Sequence, residues 1–114
     1  MFGHERFKPY RLSIDFLIIA SQLVDQLPKG NAHIRDQLRR ASTSIPLNIA
    51  EGSGKMTELD KLRFYSIARG SAMECAAICD VIARLKPRFE DKANKGKALL
   101  EQITRILTSV CNKK

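Results

Sequence analysis

The sequence has no tryptophan and few other aromatic residues, five phenylalanines and two tyrosines in 114 residues. Side chains that could stack on nucleic-acid bases are therefore scarce, and most of them fit the core of a protein. Because sequence-specific recognition of single-stranded RNA depends largely on such stacking, we expect any nucleic acid bound by this chain to be recognised by its shape and its phosphate backbone.

Cysteines, histidines and long apolar runs are also scarce. Cys75, Cys79 and Cys111 form no CxxC pair, and an odd number of cysteines suits a reducing compartment better than a disulfide framework. His4 and His33 lack metal-ligand spacing with other candidate ligands. No segment approaches the roughly 20 apolar residues of a membrane span, and no apolar run follows the charged N-terminal residues as in a signal peptide. We expect a cytoplasmic protein with no metal, no cofactor and no membrane partner.

The motifs of common enzymes are missing as well. No Ser/His/acid set can be assembled, and residues 52–57, GSGKMT, match a phosphate loop only in part, because Ile49 stands where the first glycine of GxxxxGK[ST] belongs. We therefore expect no catalytic residue and a protein that is not an enzyme. A weaker hypothesis is that free N–H groups at the start of the third predicted helix, beside Lys55, hold a backbone phosphate.

Positive charge is the most informative property that is present. Lysine and arginine number 20 against 12 acidic residues, which gives a net charge of +8 and a pI near 9.8. Such a charge favours an anionic partner, above all nucleic acid. The basic residues are spread along the chain, with the densest group around the last predicted turn. Those expected to contact nucleic acid are Arg35, Arg39, Lys55, Lys61, Arg63, Arg69, Arg84, Lys86, Arg88, Lys92, Lys95 and Lys97.

Apolar residues recur at intervals of three and four, and strand-like alternation is missing, so the pattern predicts an all-α protein. Breakers and caps place the turns around residues 28–31, before Thr57 and around residues 86–88. The prediction is a single domain over residues 1–114, an antiparallel up-down-up-down four-helix bundle. Its helices are expected at about 9–27, 32–51, 58–85 and 88–111.

Two features make the first two predicted helices unusual. The first helix is apolar on more than one side, including Leu17, Ile18 and Val24, so we expect a second subunit to cover the excess. A helix central to its own monomer is the alternative. In the second helix Pro46 predicts a kink rather than a break. Gly52 and Gly54 are expected to end that helix in the left-handed conformation.

A polar stripe follows the second helix, and the third helix is predicted to bury a carboxylate. Counting by three and four puts Ser71 and Glu74 in one row with Phe64 and Ile78, which predicts a core position for Glu74. A buried carboxylate needs a partner, and Arg40 is the candidate. We favour a structural network over a catalytic or ligand-binding cluster, and an enzyme built on these side chains is the least favoured hypothesis. The network comprises Arg40, Ser44, Asn48, Glu51, Ser71 and Glu74.

Several short segments of these two helices form one long pattern. They are QLRRA at 37–41, SIP at 44–46, NIAEG at 48–52, Gly54, Phe64, Ala68, Gly70, Ser71 and Glu74. In this pattern the sequence resembles the bacterial four-helix-bundle family of 23S rRNA-intervening sequence proteins. The resemblance implies a ring-shaped homopentamer and no catalytic residue. Similar bundles are accessory variability proteins of diversity-generating retroelements, where a basic pentamer binds nucleic acid and a reverse transcriptase.

The favoured hypothesis is a non-enzymatic homo-oligomeric bundle that binds RNA, or nucleic acid generally, through repeated lysines and arginines. The alternative is a scaffold or accessory subunit whose basic surface contacts an acidic protein, such as a polymerase-like enzyme or reverse transcriptase. Both hypotheses depend on electrostatics, because the sequence offers few groups that read bases.

Overall fold

The computed structural model describes residues 1–112 and is built from four long helices, with no strand in that range. The predicted all-α chain with four helices is confirmed. None of the helices in the described range is apolar over a stretch long enough to cross a membrane. The helices are α1 at Lys8–Gln26, α2 at Ala32–Ser53, α3 at Glu58–Leu85 and α4 at Glu90–Cys111, with short 3-10 segments at Gly3–Arg6, Lys29–Asn31 and Pro87–Phe89.

Each helix packs against its neighbours along the chain, and α1 also packs against α4. Contacts across α2 and α3 run in opposite directions, since Ser44 bonds Ser71 whereas Gly52 lies against Tyr65. The arrangement is that of an antiparallel bundle, 44 Å long. The N-terminal segment and the α2–α3 turn lie at one end, which we call the amino end. The α1–α2 and α3–α4 turns lie at the other, which we call the two-turn end.

Large aliphatic side chains and one phenylalanine fill the centre of the bundle. Phe16 of α1 is fully buried, and it comes so close to α4 that a Cβ atom on Gly96 would lie 3.0 Å from its ring. The absence of a side chain at Gly96 therefore lets α1 and α4 approach each other. Fully buried side chains from the four helices include Phe16, Leu23, Leu38, Ile45, Ile49, Ile82, Leu100, Ile103 and Leu107.

Helix α3 buries only part of the row of larger residues predicted for the core, namely Ile78 and Ile82, together with its small-residue side. Its small residues, among them Ala68, Ala72 and Cys79, are fully buried, whereas Ile67 is 47% exposed. Small side chains let the neighbouring helix backbones come close, so this side packs more tightly than the side with larger residues. The predicted core position of Glu74 is wrong, because its side chain is exposed although Ile78 in the same row is buried.

The start of α2 at Ala32 and its continuation through Pro46 without a break agree with the prediction, but its C-terminal end differs. Gly54 has φ of −90°, so no left-handed glycine ends the helix. The N–H of Gly54 instead donates to the carbonyls of Ala50 and Glu51. Gly52 is needed for space: a Cβ atom there would lie 2.9 Å from the Tyr65 ring and 3.0 Å from the Lys61 carbonyl oxygen.

The excess apolar surface of α1 is smaller than predicted but present. Val24 is buried within the protomer, and Leu17 is half-buried in the groove between α1 and α2. Ile18 remains 56% exposed. The alternative of a helix central to its own monomer therefore fits Val24 and does not fit Ile18.

Burial makes the core thiols poor acids. Burial raises the pKa of the Cys75 thiol well above its usual value, and it raises the pKa of the Cys79 thiol from 9.0 to about 11. Neighbouring negative groups add to the effect at both thiols. In the unfolded chain these thiols would ionise at lower pH, so the unfolded state binds fewer protons above that pH. Stability should therefore decrease as the pH rises from about 9 to about 11. Urea unfolding under reducing conditions measures this decrease, which should be smaller in Cys79→Ala; an identical pH slope would contradict the assignment.

Candidate nucleic-acid interface

Four of the predicted nucleic-acid-binding side chains form salt bridges within the protein. Three of these pairs join residues three or four apart, one on α2, one on α3 and one between the end of α2 and the turn after it, and the fourth joins α3 and α4. Exposed pairs of this kind contribute little stability, but each carboxylate reduces the field that a phosphate would meet. The pairs are Arg39–Asp36 at 3.0 Å, Lys55–Glu51 at 3.1 Å, Arg63–Asp60 at 2.6 Å and Lys97–Asp80.

Two further arginines are engaged in holding helices together. Pro28 has no N–H, so the carbonyl of Val24 in the last turn of α1 lacks its usual partner. The Nε of Arg35 donates to that carbonyl at 3.0 Å. Arg69 donates to the Thr108 hydroxyl and so ties α3 to α4. Both arginines are half-buried, which makes them structural residues before they are phosphate ligands.

The remaining predicted cations, Lys61 apart, lie at the two-turn end. None of them has an acidic partner within the described residues. Lys92 donates to the side-chain oxygen of Gln26 at 3.2 Å, and Arg88 lies over the Phe89 ring. Glu90 and Asp91 share this end but occupy the first turn of α4, where the helix dipole favours acids. We call Arg84, Lys86, Arg88, Lys92 and Lys95 the basic end cluster.

The predicted polar network forms only in its centre. The Ser44 and Ser71 hydroxyls are 2.8 Å apart, and the Asn48 amide donates to the Ser44 hydroxyl at 2.9 Å. Arg40 and Glu74 line the same α2–α3 groove, but both are exposed and form no ion pair within residues 1–112. The predicted buried pair is therefore wrong. The sixth predicted member, Glu51, pairs with Lys55 instead.

Glu74→Ala should change the free energy of unfolding by less than about 0.5 kcal/mol, as expected for an exposed side chain without a bonded partner. Ser71→Ala provides the contrast, because it removes a hydrogen bond between two helices and should cost about 1 kcal/mol. Thermal and urea unfolding of the two variants measure the difference. A strongly destabilised Glu74→Ala protein would restore the buried-pair interpretation.

The amino end holds a group of residues that the sequence patterns missed. The Ser53 and Tyr65 hydroxyls are 2.8 Å apart, and the Tyr65 ring stacks on Phe7 with ring centroids 5.2 Å apart. Tyr65 also covers Gly52. A glycine followed by serine at the end of a helix is a weak signal for such packing, and nothing in the pattern indicated which tyrosine would meet them.

The weaker phosphate hypothesis for the start of α3 gains no support from Lys55. Its ammonium group binds Glu51 and lies 4.9 Å from the centre of the Phe64 ring. The Thr57 hydroxyl accepts a hydrogen bond from the Asp60 N–H, as the capping pattern predicts. One of the free N–H groups is thus already satisfied. Over the described range, no group of three or more His, Cys, Asp or Glu residues is arranged to hold a metal ion.

Comparison with known proteins bears on the fold and the family. A family model described as 23S rRNA-intervening sequence protein matches residues 5–109. The chain is also similar to a solved structure of a protein of unknown function from the S23 ribosomal protein family of Bacteroides thetaiotaomicron VPI-5482. The two share 19% identity with a TM-score of 0.78, over 93% of this chain and 96% of that chain. No curated protein matches the sequence. At this identity the structural likeness establishes the fold alone.

Proposed function

Since the chain belongs to the 23S rRNA-intervening sequence protein family, we propose that it is a non-enzymatic homo-oligomer that binds RNA, or nucleic acid generally, through its basic end cluster. The observation that carries the proposal is the concentration at one end of five cations that lack acidic partners within residues 1–112. Free lysines and arginines neutralise phosphates and release counterions, which is the main source of sequence-independent affinity.

Oligomerisation would multiply this charge. Ile18 on α1, Leu47 on α2 and Ile67 on α3 are exposed apolar side chains on three adjacent helices. The Ser44–Ser71 hydrogen bond sets the register of α2 against α3, so Leu47 and Ile67 lie at similar heights along the bundle. We propose that further copies of the chain cover these exposed apolar side chains and that the copies close into a ring. The family resemblance makes five the expected number of subunits.

Light scattering and a mobility-shift titration test these two parts separately. Light scattering of the purified protein should give a mass several times the 12.8 kDa of one chain. Labelled RNA should shift at low salt, and the affinity should fall steeply as salt is raised. A monomeric mass would refute the proposed ring, and the lack of any RNA shift at low salt would refute nucleic-acid binding.

A protein scaffold in the cytoplasm is the second candidate function. Val81 and Leu85 are exposed next to Arg84, in a groove at the edge of the basic end cluster. A surface that is both apolar and basic suits an acidic protein, for example a polymerase-like enzyme such as a reverse transcriptase. Val81→Asn, which removes the apolar side chain without adding charge, should weaken such an interaction markedly and leave RNA binding within about twofold, since one exposed apolar side chain contributes little to phosphate contacts.

A further inference from the structure

A groove of about 330 Å³ lies at the amino end, where the N-terminal 3-10 segment crosses the end of α2 and the start of α3. It is lined by Gly3, Arg6, Phe7, Ser53, Lys61 and Tyr65. We call it the amino-end pocket. It lies at the opposite end of the bundle from the basic end cluster.

Packing fixes the polar floor of this pocket. The Tyr65 ring is buried between Gly52 and Phe7, which leaves it little freedom to move. Its hydroxyl is held 2.8 Å from that of Ser53. Two hydroxyl groups that share one hydrogen bond use only one of their two hydrogen atoms, so the other hydrogen remains available to an acceptor. No second protein acceptor for either hydroxyl lies within the described residues.

The walls of the pocket are positive. Arg6 is exposed and Lys61 is half-buried, and neither forms a salt bridge within residues 1–112. None of the described residues that line the pocket is acidic. The acidic residues next to these cations in sequence are directed elsewhere: Asp60 pairs with Arg63, and the Glu5 carboxylate accepts a hydrogen bond from the Phe2 N–H. An available O–H group between two unpaired cations is an arrangement that favours an anion with several acceptor oxygens.

We propose that the amino-end pocket binds a phosphate group, with Lys61 and Arg6 balancing its charge and the Ser53–Tyr65 hydroxyl pair donating to one of its oxygens. The phosphate belongs either to the RNA of the proposed function, on which this part of the inference rests, or to a small phosphorylated compound. Both sources share the same chemistry, and the experiment separates them.

Pyrophosphate titrated calorimetrically at low salt is the first probe. Wild-type protein should bind it with measurable heat. Arg6→Gln/Lys61→Gln should weaken binding at least about tenfold, and Tyr65→Phe, which keeps the ring packing, should weaken it about three- to tenfold. Lys29→Gln/Arg39→Gln removes the same formal charge outside both the amino-end pocket and the basic end cluster, and should change binding less than about twofold. An equal loss in this control would overturn the proposal, and so would absence of heat with the wild type together with unchanged RNA binding in the pocket variants.

A short RNA with and without a 5′-phosphate, followed by fluorescence anisotropy, is the second probe. Weaker RNA binding in Arg6→Gln/Lys61→Gln than in the control would assign the pocket to an RNA phosphate. Unchanged RNA binding with lost pyrophosphate binding would assign it to a small phosphorylated compound. If wild-type protein binds pyrophosphate and no RNA, the pocket stands and the proposed function fails. If it binds RNA and no pyrophosphate, and the pocket variants bind RNA as the wild type does, the pocket fails alone.

Discussion

Gly52→Val should destabilise the protein by about 3 kcal/mol, because the new side chain has no space to occupy. A Cβ atom alone would lie 2.9 Å from the Tyr65 ring and 3.0 Å from the backbone oxygen of Lys61. The backbone oxygen cannot rotate away, so α2 and α3 would have to separate. The melting temperature, measured at matched protein concentration, should fall by about 10 °C or more.

Gly54→Val is the matched control, two residues further along the chain. A Cβ atom there would lie 3.7 Å from its nearest neighbours, and φ of −90° is open to any residue. We expect a change of less than about 1 kcal/mol. Equal destabilisation at the two positions would show that both glycines act through backbone conformation, as the sequence pattern suggested.

A quadruple substitution in the basic end cluster should abolish most RNA binding. The variant replaces Arg84, Lys86, Arg88 and Lys95 by glutamine and keeps Lys92, which bonds Gln26. If these cations contact phosphates in every subunit, affinity at low salt should fall by about 100-fold or more, and the salt dependence should become shallower by about 0.7 per lost contact with single-stranded RNA. Anisotropy titrations at several salt concentrations measure both quantities.

The control for this variant removes four charges that are already paired. It replaces by glutamine four basic residues that each have a carboxylate partner, namely Arg39, Lys55, Arg63 and Lys97. The formal net charge of the two variants is the same, so a difference in affinity reports on location. We expect the control to bind RNA within about tenfold of wild type. Equal losses in the two variants would mean that total charge, and no particular end of the bundle, attracts the RNA.

Helix boundaries could be predicted because local chemistry sets them. Pro28 and the 3-10 turn after it separate α1 from α2, and the Thr57 cap marks the start of α3. Each of these acts on residues only a few positions away. The buried face of α3 could not be predicted in the same way, because both sides of that helix carry apolar residues. Spacing placed both Ile67 and Ile78 in the core, whereas the packed bundle buries Ile78 and the alanines, which let helices come closer, and leaves Ile67 partly exposed.

The candidate sites depend on contacts that sequence spacing does not reveal. The central Ser44–Ser71 contact of the network was predicted, since both residues lie beside the groove between α2 and α3. Glu74 was predicted to lie in the core, but its side chain is exposed to solvent. Tyr65 and Ser53 come together only because Gly52 leaves room for the ring, and a glycine before a helix end is more often a sign of local conformation.

The hydrogen bond from Arg35 to Val24 has a consequence for sequence variation at the two-turn end. A residue other than proline at position 28 could extend α1 through Leu27 and bring its own amide to the Val24 carbonyl, where it would compete with the arginine side chain. Positions 28 and 35 should therefore vary together among related chains. The uncharged Pro28 ring thus influences whether the Arg35 guanidinium group stays bound to the backbone or is available to solvent at the two-turn end.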